Sequence, residues 1–233
     1  MKRALLERLV VAQESKRPAV LVRGLSNPCQ FLLAIEGNNG LPENIPAEVL
    51  RSAEQALRRD GARTIEVGGE RYLLQTLSSP YRLLVIGAVH IAQALIPMAG
   101  AAGYDVQLID PRAAFATPGR FPGIDIVNRW PQEIMGGIPL TSRTAIVTLS
   151  HDAKIDEPAL KAALESEAFY IGALGSRNNH AKRLERLGAL GFNDETLARI
   201  AGPIGLPLGG RAPAEIAVSI LAQIIQSRYR TEA

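Results

Sequence analysis

Residues 82–92 read RLLVIGAVHIA, in which four consecutive apolar residues lead into a glycine at position 87 and then into a helix-like pattern. An apolar strand, a glycine turn and a helix in this order form the first unit of a Rossmann-like α/β domain. Gly87 allows the tight turn, and the free N–H groups at the start of the next helix attract an anion. The stretch predicts a domain that holds a phosphorylated or anionic small molecule.

Val89 departs from the standard dinucleotide-binding pattern. In G-x-G-x-x-G the second glycine lets the backbone touch the pyrophosphate, and Val89 stands at that position here. We therefore expect Val89 to disfavour the close approach of a standard dinucleotide.

Apolar runs beyond position 100 continue the strand and helix pattern. Candidate strands lie at 105–109, 124–127, 144–149 and 169–173. Continuous apolar strands that alternate with helices predict a parallel sheet covered on both faces. Right-handed crossovers give the strand order 3-2-1-4-5, counted from the strand at 82–86. The closing helix is predicted to begin at Pro213.

The first 80 residues predict a small α+β domain instead. An N-terminal amphipathic helix is followed by two hairpins, 19–23 with 31–35 and 64–67 with 71–77, and the second surrounds the turn Gly68-Gly69. A helix with one apolar stripe starts after Pro46, between the hairpins. The polar connection 78–80 predicts the boundary, so the domains are 1–80 and 81–233.

Composition narrows the possible partners. Of 233 residues, 47% are hydrophobic and 21% are charged, and the formal net charge of +3 is too small to indicate nucleic acid binding. The single cysteine, Cys29, cannot form an internal disulfide, which favours a reducing compartment. No apolar run approaches the roughly 18 residues of a membrane span. We therefore expect a cytoplasmic protein with neither nucleic acid nor membrane as a partner.

Asp110 and Arg112 follow the second strand of the predicted sheet. Asp110 comes 23 residues after Gly87, close to the roughly 20 residues expected of an acid that binds a ribose. The alternative is a strand-end aspartate held in the turn by Pro111 and paired with Arg112. Arg112 would otherwise be free to meet a phosphate.

The three histidines each follow a candidate strand, at or near the sheet edge that binds ligands in such domains. For His90 and His151 we favour ligand contact, and for His180 a loop histidine bonded to backbone. Their spacing matches no metal-ligand pattern. Ser150, His151 and Asp152 cannot form a hydrolase triad, because adjacent residues on an extended segment point to different sides.

A second glycine-rich turn lies at 172–177, where Ser176 and Arg177 are natural donors to an anion. The alternative is simple turn chemistry, with Asn178 or Asn179 capping the next helix. The glycine- and proline-rich stretch 202–213 predicts a stiff loop that either closes over a ligand or is purely structural.

Seven segments carry a resemblance to a known family. They are GAVHIA at 87–92, DPR at 110–112, RFP at 120–122, LSHD at 149–152, YIGALGSR at 170–177, PIGL at 203–206 and PAEIA at 213–217. In this order they resemble the C-terminal Rossmann domain of the XdhC/CoxI family of molybdenum-hydroxylase maturation factors. The sequence departs from many members by Val89 in the first turn and by Ser150 in place of threonine. It also lacks the Gly-Gly-Cys-Leu-Glu motif that longer members carry in their N-terminal domain.

The resemblance implies a protein that binds the molybdenum cofactor, molybdopterin, as cargo and assists its insertion into a client such as xanthine dehydrogenase. A homodimer is expected, because an apolar C-terminal helix in such domains often pairs with itself. No catalytic residue and no metal ligand is assigned. The cofactor-binding residues are expected to be Gly87, Ala88, Val89, His90, Asp110, Arg112, His151, Asp152, Gly175, Ser176 and Arg177.

A binding and delivery factor is the preferred hypothesis, because the sequence contains no recognisable hydride-transfer or hydrolytic constellation. The main alternative is an NAD(P)-dependent oxidoreductase, in which Asp110 would hold ribose hydroxyls and Arg112 would accommodate a 2′-phosphate. A third possibility is a domain that only docks partners through its 202–213 loop and C-terminal helix.

Overall fold

The structure is a computed structural model that describes residues 3–14, 18–34, 41–42, 44–57, 61–77 and 80–232. The chain forms two compact units, residues 1–79 and residues 80–233. The predicted strand end at Ile35 and the predicted connection at Ser78 and Ser79 lie outside the described residues. Each unit has its own sheet and its own core.

In its described residues, the N-terminal unit is a four-stranded antiparallel sheet with two helices. Its strand order is β2-β1-β4-β3. The elements are α1 (Arg3–Glu14), β1 (Ala19–Gly24), β2 (Gln30–Ala34), α2 (Ala47–Ala56), β3 (Ala62–Val67) and β4 (Glu70–Leu77). Val20, Val22 and Phe31 pack against Val49 and Ala53 of α2 to form the core. Burial of this single apolar face holds the helix on the sheet.

Both predicted hairpins of this unit are present, with β1 paired to β2 and β3 paired to β4. The β3–β4 turn places both central residues at positive φ, 61° for Gly68 and 78° for Gly69. Two-residue hairpins favour this backbone because its twist matches the twist of the flanking strands, and glycine adopts it without a steric penalty. Local sequence therefore fixes the register of this hairpin.

The C-terminal unit is a six-stranded parallel sheet flanked by helices, which confirms the predicted Rossmann-like α/β class. Its order is β10-β9-β8-β5-β6-β7. The elements are β5 (Arg82–Ile86), α3 (His90–Ala101), β6 (Asp105–Ile109), β7 (Asp125–Val127), α4 (Pro131–Ile134), a short 3-10 turn (Met135–Gly137), β8 (Thr144–Thr148), α5 (Ala153–Leu164), β9 (Tyr170–Ala173), α6 (Arg177–Ala189), α7 (Asp194–Leu197), β10 (Ile200–Ala201) and α8 (Pro213–Glu232).

The predicted order of the five long strands agrees with the structure, and a sixth strand extends the sheet beyond it. β10 contains only Ile200 and Ala201 and pairs in parallel with β9. A two-residue strand has no apolar run for a sequence pattern to detect. The closing helix begins at Pro213, as predicted.

The two faces of the parallel sheet explain why β5 is apolar from Leu83 to Ile86. Leu83 and Val85 pack with α3 and α8 on one face, and Leu84 and Ile86 pack with α5 on the other. Successive side chains of a strand point to opposite faces, so a sheet covered on both sides buries every residue. All four side chains are fully buried. Within the described ranges, no helix combines the length and the apolar character that a membrane span requires.

Candidate functional site

The turn after β5 and the turn after β8 touch each other at the carboxyl edge of the sheet. β5 and β8 are adjacent parallel strands, and the chain leaves them in opposite directions. Gly87 has φ 107°, and a β-carbon on it would lie 2.7 Å from the backbone nitrogen of Ser150. Only glycine fits here, because the backbone conformation and the neighbouring chain both exclude a side chain. This edge is the switch point at which open α/β sheets bind their ligands.

The first turn is held by the carboxylate of Asp110. The Ala88 N–H donates to Asp110 Oδ2 at 2.7 Å, and the backbone N–H of Arg112 donates to Oδ1 at 2.9 Å. The Arg112 guanidinium adds a bidentate pair, Nε to Oδ1 at 2.9 Å and Nη2 to Oδ2 at 2.7 Å. These four bonds fill the acceptor capacity of a carboxylate, which has about four lone-pair sites.

Asp110 is fully buried, whereas the Arg112 side chain is 34% exposed. Burial raises the pKa of the Asp110 carboxyl, but the hydrogen bonds from Arg112 and Ala88 outweigh burial and hold the pKa below its ordinary value. Asp110 is therefore a charged, internally satisfied group. The arrangement is the paired strand-end aspartate, and it leaves no free oxygen for a ribose. Arg112 has five N–H donors and keeps those that Asp110 does not use.

Arg120 fixes the other side of the first turn, and sequence reasoning did not select it as a site residue. Its Nη1 donates to the Ala88 carbonyl at 3.1 Å and to the Phe115 carbonyl at 2.6 Å. Its Nη2 donates to Gln93 Oε1 at 3.2 Å. Ala88 is thus held through its N–H by Asp110 and through its carbonyl by Arg120. The only sequence signal for Arg120 was its place in the segment 120–122.

Helix α3 begins directly after this turn. Val89 occupies the N-cap position with an extended backbone, and it provides no side-chain acceptor for the amides of the first helical turn. His90 is the first helical residue and is exposed. Free first-turn amides and the helix dipole favour an anion at this point. Anion binding at the start of α3 is compatible with this geometry and stays a prediction.

Ser150, His151 and Asp152 lie in the turn after β8, and each has a different environment. Ser150 Oγ donates to Asp156 Oδ1 at 2.7 Å, and Asp152 caps helix α5 by accepting from the Lys154 N–H at 2.9 Å. His151 is exposed and has φ 63°, a conformation that costs a non-glycine residue energy. The Ser150 hydroxyl is committed to Asp156, so these three residues do not form a triad.

The turn after β9 is capped by Ser176, not by Asn178 or Asn179. Ser176 Oγ accepts from the Asn179 N–H at 3.2 Å. Gly175 has φ 149°, and Arg177, the first residue of α6, is exposed. Ser176 therefore positions the turn, while Arg177 is accessible to a ligand or to solvent.

His180 lies on α6 beneath the strand edge and is half-buried. Its ring packs directly against the Cα of Gly202, and Nδ1 has no hydrogen-bond partner among the described residues. Burial lowers the pKa of His180, and the charge of Arg183 lowers it further. His180 was predicted to be a loop histidine, but it lies within helix α6 and packs against Gly202.

The 202–213 loop is anchored at both ends. The Gly205 N–H donates to Gln223 Oε1 at 2.8 Å, and the Tyr170 hydroxyl donates to the same oxygen at 2.6 Å. At the other end, Glu215 accepts from the backbone N–H groups of Arg211 and Ala212 at 2.8 and 3.0 Å. These contacts favour the structural interpretation of the loop.

A cavity of about 220 Å³ lies between the start of α5 and helix α6, next to His151. Two buried residues that sequence reasoning missed, Asp156 and Arg183, line it. No local sequence pattern marks either residue as buried. A larger cavity of about 420 Å³ lies at the opposite edge of the sheet and contains none of the predicted site residues.

Among the described residues, no three histidine, cysteine, aspartate or glutamate side chains come together in a group suited to a metal ion. Backbone amides, exposed histidines and arginines surround the carboxyl edge of the sheet, and the buried residues Asp156 and Arg183 lie beside it.

Comparison with known proteins places this geometry in a family. The model of the XdhC Rossmann domain matches residues 83–224. A molybdenum cofactor insertion chaperone, PaoD of Escherichia coli, is 32% identical over 151 residues, which cover 65% of this chain and 41% of PaoD. A Bacillus subtilis protein, named as a probable subunit of xanthine dehydrogenase, is 28% identical over 158 residues, 67% of this chain and 46% of that protein.

The chain thus spans less than half the length of these curated relatives. A solved structure described as a xanthine dehydrogenase from Bacillus halodurans superposes with a TM-score of 0.76 at 22% identity, covering 99% of this chain and 65% of that one. This likeness concerns the fold. The family model covers more than half of the chain, including every residue of the carboxyl-edge site. The chain therefore belongs to the XdhC Rossmann domain family.

Proposed function

We propose that this chain binds the molybdenum cofactor as cargo and assists its insertion into a molybdenum hydroxylase, such as a xanthine-dehydrogenase-type enzyme. One observation carries the proposal: the Rossmann unit aligns with a relative that is named a molybdenum cofactor insertion chaperone. The carboxyl edge supports it, because molybdopterin carries a phosphate and this edge presents free helix amides and accessible arginines.

The residues at the edge divide into contact and positioning roles. Contact with the cargo is assigned to exposed or half-exposed groups, His90, Arg112, His151 and Arg177, together with the first amides of α3 after Val89. Positioning is assigned to groups committed within the protein, Gly87, Ala88, Asp110, Asp152, Gly175 and Ser176. The bound cofactor itself would supply the molybdenum chemistry that the client uses.

The alternative, an NAD(P)-dependent oxidoreductase, receives less support from the site. A ribose-binding carboxylate needs free oxygens, and those of Asp110 already accept four hydrogen bonds. Val89 also stands where a dinucleotide needs glycine. Titration with NADH and NADPH provides the test. Saturable binding at micromolar concentration, with turnover by the purified protein alone, would favour the oxidoreductase.

The proposal is tested by purifying the chain from cells that make molybdopterin and identifying the small molecules it retains by mass spectrometry. We expect a pterin, and we expect Arg177→Ala to reduce its retention by roughly 10- to 100-fold in affinity, the scale of a charge-assisted hydrogen bond. Arg230→Ala removes another exposed arginine, near the end of α8, and serves as the matched control.

A second measurement follows the client. Apo-hydroxylase incubated with cofactor and this chain is expected to reach a higher active fraction than with cofactor alone. The absence of a retained pterin, together with an unchanged active fraction, would contradict the proposal.

A further inference from the structure

The cavity beside His151 contains an unpaired acceptor and an unpaired donor that the contacts described above do not use. Its lining includes one apolar and five polar residues from the β8–α5 turn, α5, the β9–α6 turn and α6: Leu174, and His151, Asp156, Asn179, Lys182 and Arg183. At about 220 Å³ it has room for roughly seven waters at about 30 Å³ each. It is smaller than the roughly 300 Å³ at which pockets for whole drug-sized ligands begin. It therefore suits one flat ring or the end of a larger molecule.

Asp156 is the acceptor. Its side chain is 1% exposed, and Oδ1 accepts from the Ser150 hydroxyl at 2.7 Å and from the Ser150 N–H at 3.3 Å. Oδ2 is buried and has no hydrogen-bond partner among the described residues. A buried carboxylate oxygen without a partner is unfavourable, so the site is complete only when another group donates to it.

Arg183 is the donor. It is 6% exposed, and Nη2 donates to the Leu174 carbonyl at 2.8 Å. Nη1 is buried and has no partner among the described residues. No ion pair joins Arg183 to Asp156 within this part of the chain, although both line the same cavity. Asp156 is thus anchored through Oδ1 and Arg183 through Nη2, while Asp156 Oδ2 and Arg183 Nη1 have no partner among the described residues.

A group that complements both atoms carries an N–H donor for Asp156 Oδ2 and a carbonyl acceptor for Arg183 Nη1. A carboxylate accepts from a neighbouring N–H and NH₂, and a guanidinium donates to the adjacent carbonyl oxygen. The 2-amino-4-oxopyrimidine ring has this edge, and it occurs in pterins and in guanine. Leu174 supplies an apolar surface for such a ring.

We infer that the Asp156–Arg183 cavity binds the 2-amino-4-oxopyrimidine edge of its ligand. The choice of a pterin over a guanine nucleotide rests on the proposed function, because the molybdenum cofactor contains a pterin. The cavity is too small for the whole cofactor, so the remainder of the ligand lies outside it.

Lumazines provide a direct test, since they differ from pterins by a carbonyl in place of the 2-amino group. Binding of pterin-6-carboxylate, lumazine-6-carboxylate, GMP and XMP to the full chain is measured by calorimetry. We expect the pterin to bind about tenfold or more tighter than the lumazine, the effect of losing one hydrogen bond to a charged group.

Asp156→Asn is expected to reverse this preference. Ser150 donates to Oδ1, so the carbonyl oxygen of the amide stays there and the NH₂ replaces Oδ2. An NH₂ at that position repels the 2-amino group of a pterin and donates to the 2-carbonyl of a lumazine. Glu165→Gln, on the exposed end of the same helix, is the matched control and keeps the original preference.

The outcomes separate this inference from the proposed function. A pterin preference that Asp156→Asn reverses supports both. A preference for GMP over XMP, with no pterin binding, supports edge recognition and contradicts the molybdenum cofactor as cargo. Equal binding of pterin and lumazine overturns the inference, and so does a folded Asp156→Asn protein with the original preference.

Client activation then tests the proposed function independently. A gain of lumazine binding cannot result from misfolding, and discrimination by the unmodified chain needs no variant.

Discussion

Replacing Asp110 by alanine is expected to destabilise the C-terminal unit by about 2 to 4 kcal/mol. The change leaves the buried Ala88 N–H without its acceptor, a loss of about 1 to 3 kcal/mol. It also breaks the bidentate pair with Arg112. Breaking a fully buried pair costs about 3 to 5 kcal/mol, but Arg112 is 34% exposed, so water can hydrate it and lower that cost.

Urea unfolding followed through Trp130, the single tryptophan, measures this loss within the C-terminal unit. Asp110→Asn keeps one acceptor oxygen but turns an NH₂ group toward two of the four donors, so it should be destabilising as well. Asp125→Ala removes an exposed aspartate of β7 that accepts a surface hydrogen bond from the Gln107 amide, and it should change stability by less than about 1 kcal/mol.

The stabilisation by Asp110 also depends on pH. Because the folded pKa of Asp110 lies below its ordinary value, its contribution is present above pH of about 4 and disappears as pH falls through the folded pKa. A loss below about 1 kcal/mol at pH 7, the value of a surface ion pair, would refute the reasoning.

Four other changes test neighbouring features. Gly87→Ala should lower the free energy of unfolding, measured with heat or urea, by about 1 to 3 kcal/mol. The alanine would have to adopt a positive φ, and its β-carbon would meet the Ser150 backbone. Gly100→Ala, in open space within α3, should instead stabilise by about 0.5 to 1 kcal/mol. Asp156→Asn should raise stability at pH 7, because burial raises the pKa of this carboxyl and its ionisation opposes folding. This gain should vanish below pH of about 4, where the carboxyl is protonated in both states; a constant gain would contradict it. Arg112→Ala should weaken binding of a phosphorylated ligand by about 1.5 to 3 kcal/mol in calorimetry, and unchanged affinity would remove it from the site.

The architecture followed from patterns that burial imposes on a sequence. A strand covered on both faces is largely apolar, so β5 and β8 were visible as apolar runs, and right-handed crossovers then fixed their order. The hairpin at Gly68-Gly69 was visible because few residues adopt its backbone. β10 was not, since its two residues join the sheet only through pairing with β9.

The site was predictable only where chain order sets position. Residues directly after strands, such as His90, Asp110 and His151, had to lie near one edge. Which of them are free and which are already bonded depends on tertiary contacts between distant segments. Asp110 bonds to Ala88, 22 residues away, and Arg183 lines a cavity with Asp156 on another helix. No spacing rule encodes such contacts.

The carboxylate inside the first turn has a consequence for ligand discovery. A nucleotide-binding Rossmann turn leaves its amide open to a phosphate, but here the Ala88 amide already holds an anion that belongs to the protein. The Asp110 carboxylate therefore occupies the position where a ligand phosphate would accept from this amide. Screening collections built around adenine dinucleotides, chosen because the sheet looks familiar, should therefore perform poorly against it. Compounds that place negative charge one helical turn further on, or a hydrogen-bonding ring in the cavity beyond His151, match what the protein leaves open.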